Sequence, residues 1–237
     1  MVETISGGEN MKKEKYVPEI SSRLRKRSVS VPNTIYNASG IKVLGRRIKS
    51  LLFSTDVAVI KNSNADSVMA VYPFTPQLSI TNAIISSASV PVFVGVGGGL
   101  TSGERTLQIA LQAELLGAYG VVVNAPVKNE MIEKLDQILD IPIVATVVSE
   151  NDDILGKIKA GARILNISGG KKTAELVLKI RKSLGIEFPI IATGGHSDEH
   201  ISQTIEAGAN AITYTPPSSS EIFSTVMEAY REDMKKL

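Results

Sequence analysis

Phe188-Pro189-Ile190-Ile191-Ala192-Thr193-Gly194-Gly195, followed after one helix-length stretch by Gly208-Ala209-Asn210-Ala211-Ile212-Thr213, holds both phrases from which most of the chain is written. The first phrase opens a strand with proline and recurs as Val90-Pro91-Val92-Phe93-Val94 and Ile141-Pro142-Ile143-Val144. The second opens a strand after a helix-ending Gly-Ala and recurs as Gly117-Ala118 before Val121 and Gly161-Ala162 before Ile164, with Asn64-Ala65-Asp66 before Val68 as a worn copy. Proline donates no ladder hydrogen bond, so within a sheet it fits the first residue of a strand. Glycine takes the left-handed conformation that ends a helix. The two phrases alternate strictly, and a helix-period stretch follows each strand. That is the pattern of a parallel α/β protein in which every connection is a crossover helix.

Seven strands read directly: Val68–Tyr72, Val92–Val96, Val121–Asn124, Ile143–Val147, Ile164–Ile167, Ile190–Thr193 and Ala211–Thr215. Ile48–Phe53 is the expected eighth and comes first, followed by a short helix capped near Thr55-Asp56. Val57–Ile60 is the rival, disfavoured because too few residues separate it from Val68 for a crossover. Eight strand–helix units predict a single-domain (β/α)8 TIM barrel, which typically takes about 250 residues; this chain has 237. An open doubly wound sheet is the alternative. Residues 1–30 are expected to be a polar, basic N-terminal arm, and 31–237 the barrel, with 31–47 closing its amino-terminal end.

A net charge of +2 does not call for nucleic acid, even with the basic run from Lys12 to Arg27. The absence of cysteine excludes a disulfide framework, a thiolate nucleophile and a Cys-ligated metal. No apolar run approaches the roughly 18 residues of a membrane span. No secretory leader pattern opens the chain, so the cytoplasm is the expected location. A homo-oligomer is compatible with all of this.

Ligand sites of such barrels lie at the carboxyl ends of the strands. After Thr193 come Gly194, Gly195 and His196, with Ser197 as a natural helix cap. After Tyr214 come Pro216-Pro217 and then Ser218, Ser219 and Ser220. Glycine amides and serine donors at two helix starts suggest a phosphate held by Gly194, Gly195 and Ser218–Ser220. A surrounding pocket is expected from Tyr72 and Thr75 on a two-proline loop, Gly97 and Gly98, Asn124, Thr146, Asn166, Ser168, Gly169 and Tyr214. Ionisable groups are scarce there. Asp56 is a general base or simply a helix cap, and His196 is an acid/base group or a rim residue. His196 and His200 lie i, i+4 without the H-E-x-x-H order, so no metal site and no cofactor are expected.

At Phe188–Gly195 and Ala207–Ile212 the chain resembles the phosphate-binding TIM barrels of the ribulose-phosphate-binding superfamily. The resemblance implies a small phosphorylated metabolite as ligand and a lyase or isomerase as the activity. Pro216-Pro217 departs from that group's glycine-rich turn. Tyr72–Gln77 faintly resembles the strand-2 loop of the tryptophan synthase α subunit, but the preceding strand, Val68-Met69-Ala70-Val71, lacks the catalytic glutamate of that family. No Schiff-base lysine stands on the strand containing Asn166. The competing class is a catalytically silent barrel that senses a phosphometabolite; a phosphoester hydrolase is a weaker third.

Overall fold

The computed structural model describes residues 16, 18, 20, 29–195 and 197–235. Eight parallel strands close into a barrel: β3 (Ser50–Phe53), β4 (Ser67–Ala70), β5 (Val92–Gly97), β6 (Gly120–Val123), β7 (Ile143–Val147), β8 (Ile164–Ile167), β9 (Ile190–Thr193) and β10 (Ala211–Tyr214), with β10 pairing back onto β3. Two short strands precede them, β1 (Ile41–Val43) and β2 (Arg46–Ile48), paired as an antiparallel hairpin. The helices are α1 (Val57–Lys61), α2 (Leu78–Ser87), α3 (Glu104–Leu115), α4 (Asn129–Asp136), α5 (Ile154–Lys159), α6 (Thr173–Leu184), α7 (Asp198–Glu206) and α8 (Ser219–Met234). The chain is thus a TIM barrel, and Val57–Ile60 is helical.

Both sequence phrases act as their chemistry requires. Gly117, Gly161 and Gly208 sit at φ of 95°, 116° and 110°. The alanine after each donates its N–H five residues back, Ala118 to Ala113 (3.0 Å), Ala162 to Lys157 (3.0 Å) and Ala209 to Thr204 (3.2 Å). This is the 6→1 bond of a Schellman motif, which satisfies helix-end carbonyls and turns the chain back onto the sheet. The prolines stand at strand starts and use the group they retain: the carbonyls of Pro91, Pro142 and Pro189 accept from Val68, Val121 and Leu165 at 2.9–3.1 Å.

The expected strand Ile48–Phe53 is divided in two. The carboxylate of Asp66 accepts from the amides of both Lys49 (2.8 Å) and Ser50 (3.1 Å). These contacts hold the bend at which the hairpin ends and the barrel begins. Ile48 therefore belongs to the hairpin, where it joins Ile41 and Val43 against the barrel interior, made by Leu51, Met69, Phe93, Val122, Val144, Ile164, Ile191 and Ala211. The hairpin closes the amino-terminal end. Its turn, Leu44-Gly45, has positive φ at both residues, 43° and 85°, as a two-residue hairpin turn requires. The expected basic arm falls outside the described residues except for Tyr16, Pro18 and Ile20, all exposed.

Candidate functional site at the barrel mouth

Side chains alternate along a strand, so the residue two beyond each interior position also faces the axis, one layer nearer the mouth. Going round from β3, that layer reads Phe53, Val71, Gly95, Asn124, Thr146, Asn166, Thr193 and Thr213. The mouth therefore has two halves. The β3–β5 side is apolar or bare; the β6–β10 side is a run of neutral hydrogen-bonding groups.

The polar half is only partly self-satisfied. Thr193 donates to the carbonyl of Ile167 (3.0 Å). Asn166 and Thr146, in register on adjacent strands, share a long contact of 3.4 Å. Whichever way the amide is turned, one end meets Thr146 and the other is left over. That second end is buried without a protein partner, and so is the Thr213 hydroxyl. Asn166 is 8% exposed and Thr213 4%. Burying a polar group unpaired costs about 1–3 kcal/mol; two of the three such side chains among the described residues, Asn166 and Thr213, lie in this layer, and the third, Thr81, is on α2.

Thr193 and Thr213 escaped the sequence reading, although strand parity could have found them. The interior facing of Ile191 and Ala211 carries Thr193 and Thr213 inward. By the same parity Tyr214 is corrected: it turns outward and packs with Val29, Pro217 and Ile222 between barrel and α8. The remaining expected pocket residues are dispersed. Asn124 stands exposed at the rim. Gly97 and Gly98, at φ of 108° and 103°, form a tight turn in which the Gly98 amide donates to Thr101 (2.8 Å). Ser168 and Gly169 lead out of β8 with their amides bonded to Val147 and to the Thr173 hydroxyl. Tyr72 and Thr75 line a cleft of about 160 Å³ beside the mouth, with Val71, Phe74, Gly95 and Leu100.

The expected phosphate cradle is already furnished with carboxylates. Ser218 caps α8 in a capping box with Glu221, its amide (2.8 Å) and hydroxyl (2.7 Å) both donating to the Glu221 carboxylate. Ser219 donates its hydroxyl to Asp56. An anion at Ser218 and Ser219 would displace these bonds and face like charge. The Gly194 amide donates to Thr213 (3.2 Å), while Gly195 turns at φ 75° and Ser220 lies exposed. Positive charge near the strand ends comes from Lys128, Lys171 and Lys172, in the loops after β6 and β8.

Asp56 is the N-cap of α1, accepting from Ala58 (2.9 Å) and Val59 (3.2 Å). The Ser219 hydroxyl foremost holds its carboxyl below the usual carboxylate range; burial opposes it, and the amides of Val59 and Ala58 add to the lowering. Its position joins the starts of the first and last barrel helices. Because the folded pKa is depressed, Asp56 contributes stability that is complete above the ordinary carboxylate pKa and lost as pH falls through the lower folded value. Ser219→Ala should raise the Asp56 pKa toward its ordinary value, read by NMR titration of the side-chain carboxyl; an unmoved titration would show that the serine is not its partner. His196 lies outside the described residues. His200 is on α7, where its amide donates to Ser197 (3.3 Å).

A buried lysine also shapes the rim. Lys157 is 2% exposed and donates to the carbonyl of Ala125 (3.0 Å), next to Asn124. Burial pushes its pKa down, opposed by Asp152 and Asp153.

No protein-family model and no curated protein sequence matches the chain. Solved structures do. Phosphonopyruvate hydrolase aligns at 16% identity over 82% of this chain and 83% of its own, with a TM-score of 0.61. The same enzyme solved in complex with oxalate and Mg++ gives 16% identity, 80% and 82% coverage and a TM-score of 0.58. A 2,3-dimethylmalate lyase, described as a PEP mutase/isocitrate lyase superfamily member, gives 14% identity, 86% and 84% coverage and a TM-score of 0.57. Likeness at this identity establishes the barrel fold.

The expectation of no cofactor is corrected by the same finding, since a barrel of this fold was solved with Mg++ bound. Among the described residues no group of three His, Cys, Asp or Glu side chains is placed to hold a metal, and the inward layer of the mouth is neutral. Among the described residues no helix is long and apolar enough to cross a membrane.

Proposed function

We propose that the barrel binds a small phosphorylated metabolite at its mouth and acts on it as a lyase or isomerase. The observation that carries the binding is the pair of unpartnered buried groups, the Asn166 amide end and the Thr213 hydroxyl, within the polar layer from Asn124 to Thr213. A ligand rich in oxygen supplies acceptors for the threonine hydroxyls and a hydroxyl that can complete the asparagine. Lys171 and Lys172, in the loop after β8, place positive charge near an anionic group. The lyase or isomerase class rests on the fold and on the chemistry named for the similar barrels, which is a warrant by analogy. His196 is the acid/base group in this reading, because it follows the β9 strand end. Asp56, held as a carboxylate by three donors, supports the reading through structure, tying α8 to α1.

That engagement of Asp56 favours a second reading, a barrel that senses a phosphometabolite without turning it over. One experiment separates the two: turnover of a panel of phosphosugars and short phosphorylated acids by the wild type, His196→Gln and Asp56→Asn, alongside ligand-induced thermal shift. The enzyme reading expects turnover in the wild type and a loss of roughly 10²–10⁴-fold in His196→Gln with binding retained. Binding without turnover across the panel establishes the sensor. No binding by any member removes both.

A further inference from the structure

We infer that the ligand has two parts, a polar head and a short apolar arm, and that the arm lies in the cleft between the loops after β4 and β5. This rests on the reading of the polar mouth as a ligand site and adds the class of molecule it takes.

Three features of the cleft point the same way. First, it opens from the apolar half of the mouth: Val71 and Gly95 belong both to the inward layer and to the cleft wall, and Asn124 touches the cleft from the polar half. A ligand seated on Asn166 and Thr213 has its other end directed there. Second, the wall is kept bare. Gly95 faces the axis without a side chain, and a Cβ placed on it would stand 3.2 Å from a methyl of Val71; any residue but glycine would narrow the space. Third, the rim carries two large apolar side chains with little cover, Phe74 at 74% exposure and Leu100 fully exposed. They stand on loops stiffened by Pro73 and Pro76 and tied together by the Thr101–Thr75 hydroxyl bond of 3.0 Å. Exposed apolar groups around a preformed hollow gain from an apolar occupant at about 25 cal/mol per Å² removed from water. The Tyr72 hydroxyl accepts from the Gln77 amide at 2.8 Å, which fixes the ring as cleft wall.

Size narrows the arm. A cleft of about 160 Å³ has room for a short chain and not for a long one. The class of ligand is therefore a phosphorylated hydroxy compound carrying a short aliphatic chain, rather than a bare triose or pentose phosphate.

The test is calorimetric titration of the full chain with the 1-phosphates of 1,2-propanediol, 1,2-hexanediol and 1,2-decanediol. A buried methylene tightens binding roughly fourfold, so the hexanediol ester should bind on the order of tenfold or more tighter than the propanediol ester, with no matching further gain for the decanediol ester. Phe74→Ser and Leu100→Ser, both at exposed positions, should flatten the chain-length dependence and leave the propanediol ester unchanged. Gly95→Ala should weaken the hexanediol ester selectively. In parallel, 1-pentanol, which has the arm without the head, should shift the NMR amide signals of Gly95, Gly97 and Leu100. Equal affinity for all three esters, with no pentanol shift, overturns the arm and leaves the polar mouth standing. A pentanol shift with no ester bound keeps the arm and overturns the phosphorylated head. Neither response overturns both.

Discussion

Phe93→Ala should lower the unfolding free energy by about 3–5 kcal/mol, the usual cost of deleting a large buried aromatic. Phe93 is 1% exposed and is among the largest fully buried side chains. It lies in the barrel interior, in the layer that meets the hairpin formed by β1 and β2. Its partner across the ladder is Gly120, and the two are complementary. A Cβ on Gly120 would come within 2.7 Å of the Phe93 ring and 3.0 Å of the Pro142 carbonyl. The glycine is required because the ring occupies its side-chain space, so truncating the ring leaves a void that rigid strands cannot collapse into. Gly120→Ala should also destabilise, and the double substitution should cost less than the sum, because one change makes room for the other. Urea unfolding with unchanged slope and a lowered midpoint is the expected reading. A loss below about 1 kcal/mol would mean that the interior tolerates a void there, contrary to close packing.

The same pair shows what the sequence could and could not disclose. The phrase that places Phe93 in a strand is legible, since Val90-Pro91 announces the start and the β-rich run follows. The need for Gly120 is not legible, because it depends on which residue of the neighbouring strand stands opposite. Register is a tertiary quantity. The division of Ile48–Phe53 has the same origin: nothing local in Ile48-Lys49-Ser50 breaks a strand, and the bend is held by Asp66 from another unit. Strand parity, in contrast, was within reach. Once Ile191 and Ala211 are set inward, Thr193 and Thr213 follow, and Tyr214 cannot share their face. Serines and glycines at helix starts suggest an anion cradle because their donors suit one. Glu221 supplies one competing acceptor three residues on, as a capping box, while Asp56 supplies the other from the far end of the chain. The first was local and discoverable; the second was not.

Thr213→Val separates a ligand role for the polar mouth from a structural one, because the two predict opposite signs. The Thr213 hydroxyl is buried with no protein partner. If its purpose is structural, removing it costs stability. If it awaits a ligand, the free protein bears the desolvation of an unpaired hydroxyl, and valine of nearly the same shape relieves it. We expect Thr213→Val to unfold at equal or higher urea concentration, with a gain of up to about 1 kcal/mol, and to lose roughly tenfold or more in affinity for the best-bound phosphorylated ligand. Asn166→Leu should behave differently in the free protein. It removes the contact to Thr146 (3.4 Å) as well as the unpaired end, so its stability change should be smaller than that of a satisfied buried asparagine, while binding is lost as in Thr213→Val. Both readouts come from the same samples: urea midpoints without ligand, and the ligand-induced rise in melting temperature, which scales with affinity. A destabilised Thr213→Val that still binds normally would place the hydroxyl in the architecture of the barrel and take the mouth out of consideration as the ligand site.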